Sequence, residues 1–580
     1  MEGLFSLEAA KQEMRISEDV EACLEASRQE YRETNPRTSL RIVVSEPETL
    51  WHKLDHLLYL PILGLTRPRD LYYYQGKGLK ILHGFTYKYL TVEHFLGELT
   101  RLQVGYPLAD MLAHGYSQAW YPGYGALFIF TDWHVKPHWT KHRAHSGHIT
   151  MWERVMPGTK QLLINGPDGH LLGGWNYQVD AHLTQVLVDL EADLATKLER
   201  PIAYNVFDSE GSGLPTAKRY AEVEREYICV LPRKGDQSLT AFELLAGWEP
   251  VAGDPEHEAV YANWKDSQKA REDPRRLVLM RRLKDTDPTR VYAGRIPESL
   301  SAGAVPARFR QRWQHQERVI RQMVNGANLN ANFGYAYSEV PDRTRKRRWE
   351  EAQKKVEVSE RRLTEQEEAL VNLWHKLGAL RKTCRQQRET LQKEIEAQTL
   401  ELARRKAEGV PFRRCWRGLQ SRQRRLTDLT ARFQRRRCRL LEKIARRRAR
   451  RSELCKELAE RRAVRDAIDT ESLCRERSLE KDQIMLDMQV LLTSLHDWAR
   501  CHYFAPEWQR LELDTAIEMI YRKPGRVRWG KEEIEVVLAP YRYQDQHQAM
   551  EESCRRFNEA QVRWRDGRLL RILVARDPPF

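Results

Sequence analysis

The sequence predicts an α/β core that carries a β-rich insertion, together with a helical N-terminal region, a long antiparallel coiled-coil hairpin and a small α+β C-terminal region. Three patterns support this fold class. Amphipathic helical spacing precedes residue 120, short apolar runs bounded by turn residues follow from about 125, and heptad-spaced leucines begin beyond 343. The 580 residues are enough for several domains, each with its own core.

Composition restricts the classes of protein to consider. An apolar fraction of 41% with 16 Trp is typical of a folded chain. No run approaches the ~18 uncharged apolar residues of a membrane helix, and the N-terminus is too acidic for a signal peptide, so we expect a cytoplasmic protein without a membrane partner. The nine cysteines form no Cys-x-x-Cys pair, which favours reduced thiols over a zinc knuckle or a disulfide framework.

The helical N-terminal region, 1–120, contains "PETLWHKLDHLLYLPILGL" and "TVEHFLGELTRLQVGYPLADMLAHGY", in which apolar side chains recur at helical spacing. We expect core packing here, and a helix pair that binds DNA is the alternative. The first part of the core, 121–224, follows. "ALFIFTD" predicts a buried strand that ends on Asp132. "KQLLIN" and "HLLGGWNYQV" flank the turn "GPDG", and after a helix over 181–199 the strand "PIAYNVFD" ends on Asp208.

Three further regions complete the predicted domain order. Short β-like pieces with several turns predict a β-rich stretch over 225–300, and a helix that begins near Pro306 and carries Glu317 is predicted within 301–340. The hairpin occupies 341–484, where the break "EGVPF" separates two helices. A hairpin of strands, a helix and a last strand over 485–580 predict a small α+β region or an element that docks on the core.

The net charge of +15 is concentrated in the second hairpin helix. From Arg404 to Arg465 there are 24 Lys and Arg against 6 Asp and Glu, an excess of 18 positive charges. Such an excess indicates a polyanion partner, most simply nucleic acid. The alternative is a solvated face of a charged helix.

The acids at the strand ends suggest a chemistry. If the strands that carry Asp132 and Asp208 are parallel neighbours, both carboxylates emerge at one sheet edge and repel each other unless a divalent cation neutralises them. Carboxylate oxygens favour Mg²⁺ or Mn²⁺, and two such ions ~3.5–4 Å apart can promote phosphodiester chemistry, usually with a third acid. Glu317 is the candidate for that third acid. Ordinary turn residues and a surface salt-bridge network are the alternatives.

In combination, these stretches resemble the RNase H-like core of DDE transposases of the insertion-sequence type, whose core contains a β-rich insertion before the last acid. The stretches that carry the resemblance lie between about 55 and 340: "FTDWHVKPHWTK", "MPGTKQLLINGPDGH", "YNVFDSEGSG" and "RFRQRWQHQERVIRQM". The resemblance implies that Asp132, Asp208 and Glu317 bind two Mg²⁺ or Mn²⁺ ions. It further implies DNA cleavage and strand transfer at transposon ends by a homodimer associated with the bacterial nucleoid, with transposon ends and target DNA as partners.

The glutamate motif departs from the family. The motif often has a Tyr, an Arg three residues later, the Glu four residues after the Arg and a Lys seven beyond. Here Phe309 and Arg312 occupy the first two positions, but Glu317 follows Arg312 by five residues and Val324 replaces the Lys. We interpret the spacing as a one-residue shift.

Further residues are predicted to contact DNA phosphates. They are His134, Arg312 and Arg321 near the acids, and Arg435, Arg436, Arg447 and Arg448 on the hairpin. Asp180 and Glu210 are spare acids that could substitute in the site. Two functional alternatives remain: a non-catalytic coiled-coil protein that binds nucleic acid and retains a transposase-like core, and a zinc hydrolase that uses the histidines His134, His138, His142, His145 and His148.

Overall fold

The computed structural model describes residues 2–35, 47–74, 79–149, 152–232, 238–273 and 275–576. The chain divides into two compact units: Met1–Glu339 with Arg475–Phe580, and Val340–Cys474. The predicted mixed α/β architecture with a long helical hairpin is confirmed. Within the described residues, every helix is too short or too polar to pass through a lipid bilayer.

The N-terminal region of the larger unit is helical, as predicted. Its helices are α1 (Phe5–Glu13), α2 (Ile16–Thr34), α3 (Pro47–Leu58), α4 (Lys80–His83), α5 (Tyr89–Arg101) and α6 (Gly105–Trp120). The apolar spacing in α5 has the expected effect, because Val92, Leu96 and Leu99 are buried in the core.

In the large sheet of the larger unit, the strand that carries Asp132 lies between an antiparallel and a parallel neighbour. The first elements are β1 (Leu127–Pro137), β2 (Ser146–Ile149), β3 (Arg154–Asn165), β4 (Leu171–Gln178), α7 (Leu183–Lys197), β5 (Ile202–Phe207), α8 (Leu214–Glu222) and β6 (Glu226–Val230). β3 is antiparallel to both β1 and β4, whereas β1 is parallel to β5 and β5 is parallel to β6. The spatial order is therefore β4-β3-β1-β5-β6.

The β-rich segment that follows extends the same sheet. Its elements are β7 (Phe242–Leu244), β8 (Glu249–Val251), β9 (Asp254–Trp264), α9 (Ser267–Glu272), β10 (Arg276–Arg282) and β11 (Arg290–Gly294). β11 pairs with β6, and β10 and β9 continue the sheet outward in antiparallel pairs. The first strand of the 225–300 stretch, β6, thus lies in the parallel part of the sheet, and the antiparallel extension comes after it.

A helix with an irregular middle follows this extension. It consists of α10 (Ala304–Arg312), a π-helical turn (Trp313–Glu317) and α11 (Arg318–Gly326). Val305 and Phe309 on one side of the turn and Val319 and Met323 on the other are buried, so the helix is fixed against the core at both ends.

The smaller unit is the predicted antiparallel hairpin. α12 (Arg343–Ala407) and α13 (Arg413–Asp466) run along each other, with Leu370, Leu377 and Ile444 in their shared core. The chain reverses at the predicted break, where Gly409 has a φ of +66°, a conformation that glycine adopts without strain. Two short strands, β12 (Tyr337–Pro341) and β13 (Leu473–Arg477), precede and follow the hairpin.

The C-terminal elements of the larger unit are α14 (Glu480–His502), α15 (Leu513–Ala516), a π-helical turn (Ile517–Tyr521), β14 (Gly525–Trp529), β15 (Glu533–Leu538), α16 (Gln544–Glu559) and β16 (Leu569–Val574). The predicted strand hairpin, helix and last strand are confirmed as β14-β15, α16 and β16. α14 agrees with the alternative expectation, an element that docks on the core. It is buried on nearly all sides and packs against β4, α6 and α1, because apolar residues surround its axis.

Candidate active site where the parallel strands separate

The two predicted strand acids occupy equivalent positions on neighbouring strands. In the parallel pairing of β1 with β5, Thr131 lies opposite Phe207, and this is the last pair. The next residue on each strand is an acid, Asp132 on β1 and Asp208 after β5. Since paired strands lie roughly 4.8 Å apart, both carboxylates leave the sheet at the same point, as predicted.

One detail of the prediction was wrong. β1 does not end at Asp132 but continues to Pro137, because its other edge stays paired with β3. Asp132 is opposite Leu163 in that antiparallel pairing, and Pro137 is opposite Gly158. Asp132 therefore lies just beyond the last β1–β5 pair, while its backbone remains paired with β3. Its position is more constrained than that of a residue in a turn.

Asp208 is held by a local turn. It caps a short 3₁₀ turn (Ser209–Gly211), and its carboxylate accepts a hydrogen bond of 2.7 Å from the Ser209 backbone N–H. This bond occupies one carboxylate oxygen and orients the other.

Arg312 connects the third predicted acid to the first. Its guanidinium Nη1 donates to Asp132 Oδ2 at 2.6 Å, and Nη2 donates to Glu317 Oε1 at 3.3 Å. The Arg312 side chain is only 7% exposed, so both ion pairs are shielded from solvent on the arginine side. One guanidinium thus joins the carboxylates of Asp132 and Glu317, although sequence reasoning expected Arg312 to contact phosphates.

The π-helical turn accounts for the unusual spacing of the glutamate. In an α-helix a residue four positions after Arg312 would share its face, whereas one five positions later would point away. The turn from Trp313 to Glu317 contains one residue more than an α-helical turn, and so Glu317 returns to the face of Arg312. Gln316, which has the four-residue spacing, is instead buried and donates to the Leu163 carbonyl at 3.2 Å.

Burial and like charge determine the electrostatics of Asp132. Burial is the main cause that raises its pKa to about 6, and the neighbouring charges of Glu317 and Asp208 add to the rise, whereas Arg312 opposes it. A divalent cation between these acids would relieve the repulsion. The oxygen ligands of Asp132, Asp208 and Glu317 suit Mg²⁺ or Mn²⁺.

A buried polar network beneath the acids was not identified from the sequence. Thr131 donates to the Asn205 side chain at 2.9 Å, and Asn205 donates to Glu191 at 2.5 Å. Tyr220 also donates to Glu191, whose pKa burial raises to about 7. The network ties β1 to β5 directly below the acids. A signal was present, because Thr131 and Asn205 are polar residues inside otherwise apolar strands.

The other predicted residues near the core do not join the acid cluster. Arg321 pairs with Glu512, and His134 lies 2.7 Å from the Asn330 side-chain oxygen. Of the two spare acids, Glu210 pairs with Lys160 at 2.9 Å and Asp180 lies 3.9 Å from His145. In the described part of the chain, no three of the five predicted histidines come within ligand distance of one another.

The four hairpin arginines differ in their surroundings. Arg447 donates to Gln366, and the Arg448 guanidinium lies 5.2 Å from the centroid of the Trp374 ring. Arg435 and Arg436 are exposed and have no ion-pair partner among the described residues. Of the four, these two are therefore the ones whose charge no described side chain engages.

Comparison with known proteins adds no assignment. No protein-family model matches this chain, and no curated protein shows significant similarity to it.

Proposed function

We propose that the protein is a DDE-type transposase with an RNase H-like core, which cleaves DNA at transposon ends and transfers the freed strand to target DNA. The observation that carries the proposal is the convergence of three acids. Asp132 and Asp208 follow the last parallel pair of β1 and β5, and Arg312 joins Glu317 to Asp132.

The sheet also supports the RNase H-like core. The chain order strand, hairpin, helix, strand, on which the resemblance rests, is present as β1, β3-β4, α7 and β5. In space β1 lies between the hairpin and β5, and the two acid-bearing strands are parallel neighbours. This arrangement brings together the acids that the sequence separates by 76 positions.

The protein groups would have distinct roles. Asp132, Asp208 and Glu317 would together hold the metal ions. When bound, two Mg²⁺ or Mn²⁺ ions supply an activated water or 3′-hydroxyl and stabilise the leaving oxygen. Asp132 must lose its proton before it can act as a ligand, and Arg312 must turn from the carboxylates, after which its guanidinium can pair with the substrate phosphate.

The hairpin would hold DNA. Its second helix carries the excess of positive charge, and Arg435 and Arg436 project from it without ion pairs among the described residues. Such contacts position DNA without reading its sequence and weaken as salt rises. Since two transposon ends need two active sites, we propose a homodimer in the active complex.

The test is cleavage of a duplex that carries the terminal repeats flanking the gene. Purified protein with Mg²⁺ should nick the duplex, and Asp132→Ala, Asp208→Ala and Glu317→Ala should each abolish nicking while binding in a gel-shift assay persists. Glu210→Ala is the matched control, because Glu210 follows Asp208 by two residues but pairs with Lys160. Nicking by Asp132→Ala at the parental rate would refute the assignment.

The charge on α13 favours a second candidate, a non-catalytic protein that binds nucleic acid through the hairpin. In that case Arg435→Gln with Arg436→Gln would weaken binding as in a transposase, but neither Mg²⁺ nor the three acids would affect any DNA product. The same assay therefore separates the two candidates.

A further inference from the structure

A cavity of about 450 Å³ lies in the larger unit, away from the acids. Its walls come from the loop after β1, from the segment before β12 and from the end of β13. The lining residues that matter here are three arginines and three aromatic residues: Arg67, Arg475, Arg477, Trp139, Tyr335 and Tyr337. None of the described residues that line it is acidic. Its volume is in the range of small-ligand sites.

One wall combines a cation with aromatic rings. The Arg475 guanidinium lies 3.8 Å from the centroid of the Tyr337 ring, and the His142 ring lies 6.4 Å from it at an interplanar angle of 27°. Trp139, at 71% exposure, and Tyr337, at 50%, present large areas of ring to the solvent side of the cavity. Exposed rings beside arginines are the surfaces on which planar bases stack.

The floor carries positive charge that is incompletely neutralised. Arg477 pairs with Asp482 at 2.8 Å, but Asp482 also pairs with Lys136 at 3.0 Å, so two cations share one carboxylate. The Arg477 Nε has no hydrogen-bond partner among the described residues. Burial lowers the pKa of Arg477, and the positive charge of Arg67 lowers it further. An anion at the cavity would offset this repulsion.

We propose that this cavity binds a nucleotide, with the phosphate on the arginines and the planar base against Tyr337 and Trp139. Arginine guanidinium groups pair with phosphate oxygens in a fixed planar geometry, and the same groups stack on rings. The ligand could be an unpaired nucleotide of a DNA strand or a free nucleotide, since both present the same chemistry.

Nucleotide binding at the cavity does not require the acid cluster. His138 at the cavity follows Asp132 by six positions along and just beyond β1, which is roughly 20 Å at ~3.3 Å per residue. That distance equals the rise of about six base pairs, so a strand held at the acids could reach the cavity. A nucleotide could bind here even if the acids have no catalytic role.

The test uses the full chain with adenosine 5′-monophosphate, adenosine, inorganic phosphate and a six-nucleotide single strand as probes in isothermal titration calorimetry. We expect the monophosphate or the single strand to bind at least tenfold more tightly than adenosine or phosphate. Arg475→Gln should weaken that binding at least tenfold. Tyr337→Leu, which keeps the apolar bulk, provides a second variant if Arg475→Gln does not fold.

Arg542→Gln is the matched control, because Arg542 also lies over a tyrosine ring, that of Tyr543 at 5.8 Å, but outside the cavity. It should bind adenosine 5′-monophosphate and the single strand as tightly as the parent does. If Arg475→Gln loses affinity for the single strand alone, the ligand is a nucleotide of a DNA strand. If it loses affinity for the monophosphate, a free nucleotide is a ligand. If Arg475→Gln and Tyr337→Leu both bind adenosine 5′-monophosphate and the single strand with the affinity of the parent, the proposal is overturned. It is also overturned if inorganic phosphate binds as tightly as the monophosphate.

Discussion

Replacement of Asp132 by Asn should stabilise the protein at neutral pH while it removes a proposed metal ligand. Burial raises the pKa of this carboxyl to about 6, whereas an Asp in an unfolded chain titrates near ~3.9. Between these values the folded chain retains a proton that the unfolded chain has released. The stability of the parent chain therefore falls as the pH rises through this window, and above about pH 6 the loss is complete.

The size of the effect follows from the same difference. A shift of about two pH units corresponds to roughly 3 kcal/mol in the free energy of unfolding. Asn is neutral and similar in shape, and its oxygen can still accept the bond from the Trp133 backbone N–H. Asp132→Asn should therefore exceed the parent by about 3 kcal/mol at pH 8 and differ little from it at pH 4.

Urea unfolding of the full chain, followed by near-ultraviolet circular dichroism at both pH values, measures this difference. Asp285→Asn is the control, because Asp285 is exposed in a turn of the β-rich extension, where such a change should stay within about 0.5 kcal/mol. If Asp132→Asn is no more stable than the parent at pH 8, then the bond to Arg312 outweighs burial and the reasoning is wrong.

Three other predictions concern the same acids. DNA nicking should decline below about pH 6, because a proton competes with Mg²⁺ for Asp132. A tenfold increase in Mg²⁺ should lower the pH at the midpoint of this decline, and a midpoint independent of Mg²⁺ would contradict the prediction. Arg312→Gln should destabilise the metal-free protein by about 1–3 kcal/mol, since it leaves two partly exposed acids without their cation. Its thermal shift on addition of Mg²⁺ should exceed that of the parent, and an equal shift would argue against a metal at these acids. Deletion of Gln314, an exposed residue of the π-helical turn, should restore an α-helical turn, keep Glu317 on the face of Arg312 and retain nicking within about tenfold. Insertion of an Ala after Gln314 should abolish nicking, and equal activity of the two variants would refute this account of the turn.

Local patterns were sufficient for much of the fold. The apolar runs, the "GPDG" turn and the heptads each depend on nearby residues, and β1, the β3-β4 hairpin and the α12-α13 hairpin appear where they were predicted. The continuation of β1 beyond Asp132 could not be predicted in this way. It depends on pairing with β3, which lies in a different part of the chain, while polar residues after Asp132 suggested a strand end.

The burial of α14 has a similar origin. Its sequence contains apolar residues around the whole axis together with Gln483, Asp487 and His496, which read as surface positions. In the fold Gln483 has specific partners, since it accepts from the Asn176 backbone N–H and donates to the Gly174 carbonyl of β4. Buried polar groups become acceptable only when such partners exist, and a distant strand supplies them.

The position of Glu317 combines both kinds of information. The sequence alone shows a glutamate five residues after Arg312, which in a regular helix places the two side chains on different faces. Two contacts from outside the helix favour the π-helical turn instead: the Leu163 carbonyl accepts from Gln316, and Asp132 accepts from Arg312. Both contacts come from the sheet that carries the strand acids. The five-residue spacing, which departs from the family motif, is therefore compatible with a glutamate beside the two aspartates. The deletion of Gln314 tests whether the π-helical turn alone keeps Glu317 beside Arg312 despite that spacing.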